Sequence, residues 1–176
     1  MATITVKQLR KSGACEDQVK RFRATFGPSV QVTVELCEQH AADFSFEWAA
    51  VNLLIDPALA EYERTHAPAL AEYRRACTPA WAEYRRVRGI AGAEYDCTCA
   101  PYWAEYNRTC APALVKYRRT ALAEYERVCT AAWAEYDRAC AAARAEYGRV
   151  CAAALAEYRR VCARTFGQLY IAEFKE

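Results

Sequence analysis

The sequence predicts an all-α protein: a small helical N-terminal head followed by a long helix of hendecad (eleven-residue) repeats. Three observations support this fold class. Tyrosine recurs at intervals of eleven residues through most of the chain. Alanine, the strongest helix former, fills much of each interval. Proline recurs at one position of the earlier units and is absent from residues 120–164. We therefore expect a helix that is kinked in its proline-containing half and packs as a coiled coil or bundle.

The head, residues 1–55, has mixed composition and no repeat. Apolar spacing predicts helices at Val6–Lys11 and Glu16–Phe26. Thr33 and Ser45 are each predicted to cap the N-terminus of a further helix. The stretch "VQVT" predicts a short extended segment. A helical head of this size is marginal for independent stability.

From Pro57 onward the chain is built from units such as "PALAEYERTHA" and "AAWAEYDRACA". We number the positions of a unit from 1 to 11. Position 3 is mostly Leu or Trp, position 6 is Tyr and position 10 is mostly Cys. Eleven residues complete three helical turns, so these side chains form one apolar row, which we call the seam. Ala at position 2 and small residues at position 9 flank it. Glu at position 5 and Arg at position 8 are spaced to pair along the surface, as in Glu135 with Arg138.

Four segments follow from this pattern: the head at 1–55, proline-punctuated repeats at 56–119, a continuous repeat helix at 120–165, and a C-terminal tail at 166–176. The prolines allow two interpretations, a series of short helices that each begin at Pro or one helix that bends at each Pro. Alanine at the same position of later units favours continuity.

Two interruptions of the repeat bear on how the helix is arranged. Three residues are deleted after residue 117, which turns the later seam by about 60° at 100° per residue. Gly89 immediately precedes, and Gly92 lies within, a unit that lacks both Pro and Leu/Trp. It is therefore the predicted break or hinge, and a fold-back there would produce an antiparallel hairpin.

A single helix cannot bury its own seam, so the seam must pack on another helix of this chain or of a neighbour. We interpret it as a self-association surface of a non-enzymatic structural protein, a homo-oligomer that forms a bundle, tube or filament. The residues predicted to carry this contact are Tyr62, Tyr73, Trp81, Tyr84, Trp103, Tyr106, Tyr125, Cys129, Trp133, Tyr136, Cys140, Tyr147, Cys151, Leu155, Tyr158 and Cys162.

The cysteines predict reduced thiols in a cytoplasmic protein. The chain has 10 cysteines, and the sequence predicts no signal peptide. Thiols eleven residues apart stand about 16 Å apart along a helix, too far to form a disulfide on that helix. In a parallel homo-oligomer, the same row would instead form rings of thiols open to crosslinking or soft metals.

Other chemistry has little support in the sequence. With 24 basic and 22 acidic residues, net charge +2, we expect neither nucleic acid nor membrane as a partner. Cys97 and Cys99 form a weak metal motif, and Cys37 with His40 needs Cys15 or His66 to complete a site. We expect packed or solvated side chains at these positions, no catalytic residue, no metal and no cofactor.

The segments "SGACEDQVKRFRATFG", "VTVELCEQHAADFSFEWAAVNLL" and "PALAEYER" together resemble uncharacterised bacterial and prophage proteins. In those proteins a similar short helical head precedes a variable number of "PAxAEYxR" units, and the resemblance covers essentially the whole chain. It implies a bacterial or phage setting, and a variable length suits a spacer, fibre or scaffold. The alternative function is a phage- or prophage-encoded binding protein that inhibits a host factor.

Overall fold

A computed structural model of the protein describes residues 2–110 and 115–174, with side chains outside 109–118. Within these residues the chain is mainly helical, and its two long helices pack against each other. Pro112, one of the repeat prolines, lies outside the described residues. The described elements are β1 (Thr3–Thr5), α1 (Val6–Lys11), α2 (Glu16–Phe26), β2 (Ser29–Gln31), α3 (Val34–Gln39), α4 (Phe46–Leu53), α5 (Asp56–Cys110) and α6 (Val115–Glu173).

The chain forms two compact units. We call Met1–Arg75 with Ala152–Glu176 the head unit, and Ala76–Cys151 the repeat unit. Helices α5 and α6 contribute residues to both. Within the described chain, every helix is too short or too polar to span a bilayer.

The head contains a small sheet as well as helices. Strands β1 and β2 pair antiparallel, with Ile4 opposite Val30. The alternation Thr-Ile-Thr in β1 is typical of a half-buried strand, and the all-α prediction overlooked it. Strand β2 overlaps the extended segment that the sequence predicts. The caps are confirmed: Thr33 accepts a hydrogen bond from the amide of Leu36, and Ser45 one from the amide of Trp48.

The end of α6 supplies the core of the head unit. Phe166 and Tyr170 are among the largest fully buried side chains of the described chain. The Phe166 ring packs on Phe46 with centroids 5.6 Å apart. The Tyr170 hydroxyl donates to the carbonyl oxygen of Thr3 and accepts from the side-chain amide of Gln8, both at 3.1 Å. Residues 166–173 of the predicted C-terminal tail continue α6 and contribute to the core of the head unit.

Helix α5 passes through the predicted hinge and through the described prolines of the repeats. It is continuous through Gly89 and Gly92, so the predicted hinge is wrong. It also continues through the described prolines of the repeats, which favours the interpretation of one helix over a series of short ones. These prolines at position 1 are all exposed, so a carbonyl that loses its amide partner there can bond water instead. The prolines after Asp56 that are described are Pro57, Pro68, Pro79 and Pro101.

Substitution of Gly167 tests how closely α6 packs on α3. A Cβ at Gly167 would lie 3.2 Å from the Cys37 sulfur and 3.3 Å from the Val34 Cα, whereas Gly148 has open space around it. Gly167→Ala should therefore lower the free energy of unfolding by about 1–3 kcal/mol. Gly148→Ala, the matched control, should raise it by about 0.5–1 kcal/mol because alanine favours helix. Urea denaturation of both variants measures the difference, and equal effects would contradict the close approach.

Candidate functional site

In the repeat unit, α5 and α6 meet through aromatic side chains. As residue numbers rise along α5, those of the contacted residues fall along α6, so the two helices run antiparallel. The pairs, with ring centroids 5.4–5.7 Å apart, are Trp81–Tyr147, Tyr95–Trp133 and Trp103–Tyr125.

The predicted seam residues fall into three groups by exposure. Some are buried: Tyr62, Cys140, Tyr158 and Cys162. Others are half-buried between α5 and α6: Tyr73, Tyr84, Tyr106, Tyr125, Cys129, Tyr136, Tyr147, Cys151 and Leu155. The tryptophans are exposed by about half of their surface: Trp81 by 45%, Trp103 by 50% and Trp133 by 56%.

The row that contacts the partner helix is displaced from the predicted seam. In the repeat unit, most small residues at positions 2 and 9 are half-buried or buried, as at Val87, Ala91 and Val128. At 100° per residue, positions 2, 6, 9 and 10 share an arc whose centre lies about 75° from position 3. Ala and Val at positions 2 and 9 leave room for the tyrosine rings of the facing helix. Position 3 therefore lies at the edge of the contact rather than within it.

One side of the repeat unit is concave. One groove there, with a volume of about 530 Å³, is lined by the same repeat positions of both helices. A second, of about 300 Å³, continues this lining further along the pair, between Ala91 and Ala132. We call both together the alanine groove. The residues of the first are Ala76, Pro79, Ala80, Glu83, Tyr84 and Val87 of α5, with Ala139, Ala142, Ala143, Glu146, Tyr147 and Val150 of α6.

The lining of the groove fixes the side on which the tryptophans lie. Equivalent positions of α5 and α6 share the groove, so equivalent positions of the two helices point to the same side of the pair. Position 3 is on the other side of the contact from positions 1 and 5, which line the groove. Trp81, Trp103 and Trp133 therefore share the side opposite the groove, and we call this surface the tryptophan face.

Charges on the repeat unit are paired within each helix. Glu at position 5 and Arg at position 8 form exposed ion pairs, including Glu83 with Arg86 at 2.6 Å and Glu146 with Arg149 at 2.5 Å. The predicted pair Glu135–Arg138 is confirmed at 3.8 Å. Such pairs contribute little to stability. Their effect is to leave the surface beside the groove close to neutral.

Thiols at position 10 of the two helices face each other. The Cys99 thiol on α5 contacts the Cys129 thiol on α6. Burial and this neighbour raise the pKa of Cys99. The antiparallel arrangement therefore brings two thiols together within one chain. From the sequence, only contacts between thiols of different chains were considered.

A polar cluster in the head unit joins three helices. Glu47 lies in the first turn of α4, His66 on α5, and Tyr158 and Cys162 lie one turn apart on α6. Nε2 of His66 is 3.1 Å from Oε1 of Glu47 and 2.5 Å from the hydroxyl oxygen of Tyr158. The Tyr158 hydroxyl donates to Glu47. One ligand atom each from Glu47, His66 and Cys162 lie within 4.8 Å of one another.

Burial and hydrogen bonding together set the protonation states in this cluster. The Tyr158 hydroxyl holds the pKa of the Glu47 carboxyl below its usual value, with His66 contributing further. Burial raises the pKa of the Cys162 thiol, and burial with the Glu47 bond raises that of Tyr158. At neutral pH the carboxyl is therefore ionised while the phenol and the thiol keep their protons.

Tyr62 lies beside this polar cluster, and its hydroxyl is unsatisfied. Its side chain is only 3% exposed, and its hydroxyl has no hydrogen-bond partner in the described chain. Burial, together with the neighbouring Cys162 thiol, raises its pKa. The ring stacks on His66 with centroids 5.5 Å apart. A buried hydroxyl of this kind normally has a partner.

The metal ligands considered from the sequence do not come together. Cys37 is buried, and burial with the nearby Glu35 and Glu38 raises the pKa of its thiol to about 12. His40 bonds Asp43 instead, with Nδ1 2.9 Å from the carboxylate oxygen. His66 lies with Glu47 and Cys162, a set that sequence reasoning missed. His66 and Cys162 both occupy position 10 of their units. An antiparallel register brings such positions together, so the shared position was the signal in the sequence for this contact.

The head unit also holds an apolar cleft of about 430 Å³. Aromatic side chains including Phe22, Phe26 and Phe44 line it, and no Lys, Arg, Asp or Glu occurs among its described lining residues. It lies within the packed core of the small helices.

No family model matches this chain, and comparisons with curated proteins and with solved structures give no match.

Oxidation tests whether Cys99 and Cys129 face each other. With diamide as the oxidant, we expect a disulfide between these two thiols within one chain, because they lie within hydrogen-bonding reach of each other. Peptide mapping by mass spectrometry without reduction would identify the linked peptides. Cys129→Ser should leave Cys99 reduced, while the exposed Cys97 serves as the internal control. Linkage of Cys99 to a second chain in the wild type would contradict the antiparallel pairing.

Proposed function

We propose that this protein is a non-enzymatic structural protein that associates with copies of itself through the repeat unit. In this proposal α5 and α6 pair as an antiparallel hendecad coiled coil, and the paired helices are the building block of the assembly. The observation that supports it most is the exposed tryptophan face on one side of the repeat unit with the alanine groove on the other.

The tryptophan face is unusual for a surface that stays in water. Trp81, Trp103 and Trp133 each expose about half of their side chain. Exposed apolar surface of this kind marks interaction sites, and partly exposed tryptophans are frequent anchors of protein interfaces. Two helices alone offer no third layer to cover it. A further helical surface, supplied by another molecule, is therefore expected there.

A second copy of the chain is the partner that fits these features. Bulky indole rings project from one face, and a concave groove floored by alanine lies on the opposite face of the same unit. Docking of one copy's face into the next copy's groove gives a heterologous contact, which generates rings or open filaments. With Glu and Arg already paired within each helix, approaching copies experience little repulsion.

Single substitutions on the tryptophan face test the association. Trp133→Asp should weaken self-association at least about tenfold, because it removes an aromatic anchor and places a charge in the interface. Arg138→Ala, a change on the same helix, should have little effect since its ion pair is exposed. Light scattering over a concentration series, with circular dichroism to verify helix content, measures both. Tyr136→Ala is less informative because that ring is half-buried and lies close to Gly92 of α5, so its loss also changes the helix pair.

A mixing experiment distinguishes face-to-groove from face-to-face association. Ala142→Arg fills the groove with a long charged side chain, while Trp133→Asp blocks the opposite face. Each variant alone should fail to form long assemblies. Their mixture should form a heterodimer, because each retains the surface that the other has lost. Normal assembly by Ala142→Arg, or a wild-type protein that stays monomeric at high concentration, would contradict the proposal.

A further inference from the structure

We propose that Glu47, His66 and Cys162 form a zinc-binding site in the head unit. The three side chains come from α4, α5 and α6 and present a carboxylate oxygen, an imidazole nitrogen and a sulfur atom within 4.8 Å of one another. This site is separate from the tryptophan face and the alanine groove. It can therefore exist whether or not the protein assembles.

The chemistry of the three ligands selects zinc over other common cations. Zinc accepts sulfur, nitrogen and oxygen ligands together, at about 2.0–2.3 Å. An ion at the centre of atoms about 4.8 Å apart needs each to move inward by less than about 1 Å, which side-chain rotation supplies. Calcium and magnesium prefer oxygen ligands alone. A thiolate beside an imidazole therefore disfavours the binding of calcium and of magnesium.

The burial of the three ligands is graded. Cys162 is buried and His66 half-buried, while the side chain of Glu47 remains 53% exposed. An ion held here has protein on the side of α6 and solvent on the side of Glu47. Three protein ligands and an open fourth position resemble the arrangement at which zinc retains a water molecule. The Tyr158 hydroxyl, now between Glu47 and His66, lies within reach of that position.

Tyr62 is the second observation that supports a ligand. Its hydroxyl is buried and makes no hydrogen bond of normal geometry in the described chain, although the Cys162 thiol lies beside it. Metal binding converts a thiol to a thiolate, which is a far better acceptor than the neutral thiol. The Tyr62 hydroxyl would then donate to the Cys162 sulfur. Hydrogen bonds from such outer groups to metal ligands orient them and strengthen binding.

The repeat pattern itself singles out this position. His66 stands at position 10 of its unit, where most other units carry cysteine. The facing residue, Cys162, keeps the cysteine. The substitution therefore converts a pair of facing thiols into a mixed nitrogen and sulfur pair, and Glu47 from the head adds an oxygen ligand. Cysteine and histidine together are a typical donor pair for zinc.

Cobalt(II) substitution tests the site directly. Titration of the reduced wild-type protein with cobalt(II) should give the intense visible bands of a tetrahedral ion and a sulfur-to-cobalt charge-transfer band, and zinc should displace them at one equivalent per chain. His66→Gln and Glu47→Gln, both at sites that are not fully buried, should weaken zinc binding by more than about a hundredfold. Tyr62→Phe should weaken it by about 10–100-fold, as for other outer-shell partners.

Control variants separate this site from the other thiols. Cys129→Ser removes a thiol that faces Cys99 and should leave the cobalt bands and the zinc affinity unchanged. Cys162→Ser should abolish the charge-transfer band, with circular dichroism to verify the fold. The proposal is overturned if the wild type gives no charge-transfer band. It is also overturned if the band persists in His66→Gln and is lost in Cys129→Ser, which would show binding by the repeat thiols.

Discussion

The packing of α5 against α6 depends on the small side chains at positions 2 and 9 of most units. Alanine and valine there allow the tyrosine rings at position 6 to lie between the helices. Larger side chains at those positions would separate the helices and remove the contacts of the tyrosines. The same constraint places position 3 at the edge of the contact, so that Trp81, Trp103 and Trp133 are about half exposed. One steric requirement therefore generates both the helix pair and the surface through which we propose that copies associate.

The antiparallel register determines which residues meet. It brings position 10 of one helix to position 10 of the other, so that Cys99 lies against Cys129 and His66 lies beside Cys162. In the head unit α4 adds Glu47 to the second of these pairs. The proposed zinc site and the facing thiols are thus two outcomes of the same alignment, and a single residue type at position 10 distinguishes them.

Local features were predictable from the sequence, but which helix packs against which was not. Capping by Thr33 and Ser45 depends on neighbouring residues alone, so the pattern predicts it. The predicted hinge at Gly89 and Gly92 is wrong because glycine lowers helix propensity without preventing a helix that packs along its length. The site at His66 depends on which helix faces α5 and in which direction, and periodicity within one helix carries no information about either.

The described prolines of α5 are all exposed, so water can replace the backbone hydrogen bonds that they remove. The junction between units therefore tolerates variation in sequence without opening the pair. Length is more constrained. Units of α5 lie opposite units of α6, so the gain or loss of a single unit would leave a unit of the other helix without a partner. A longer chain of this kind must therefore add units in pairs, one to each helix.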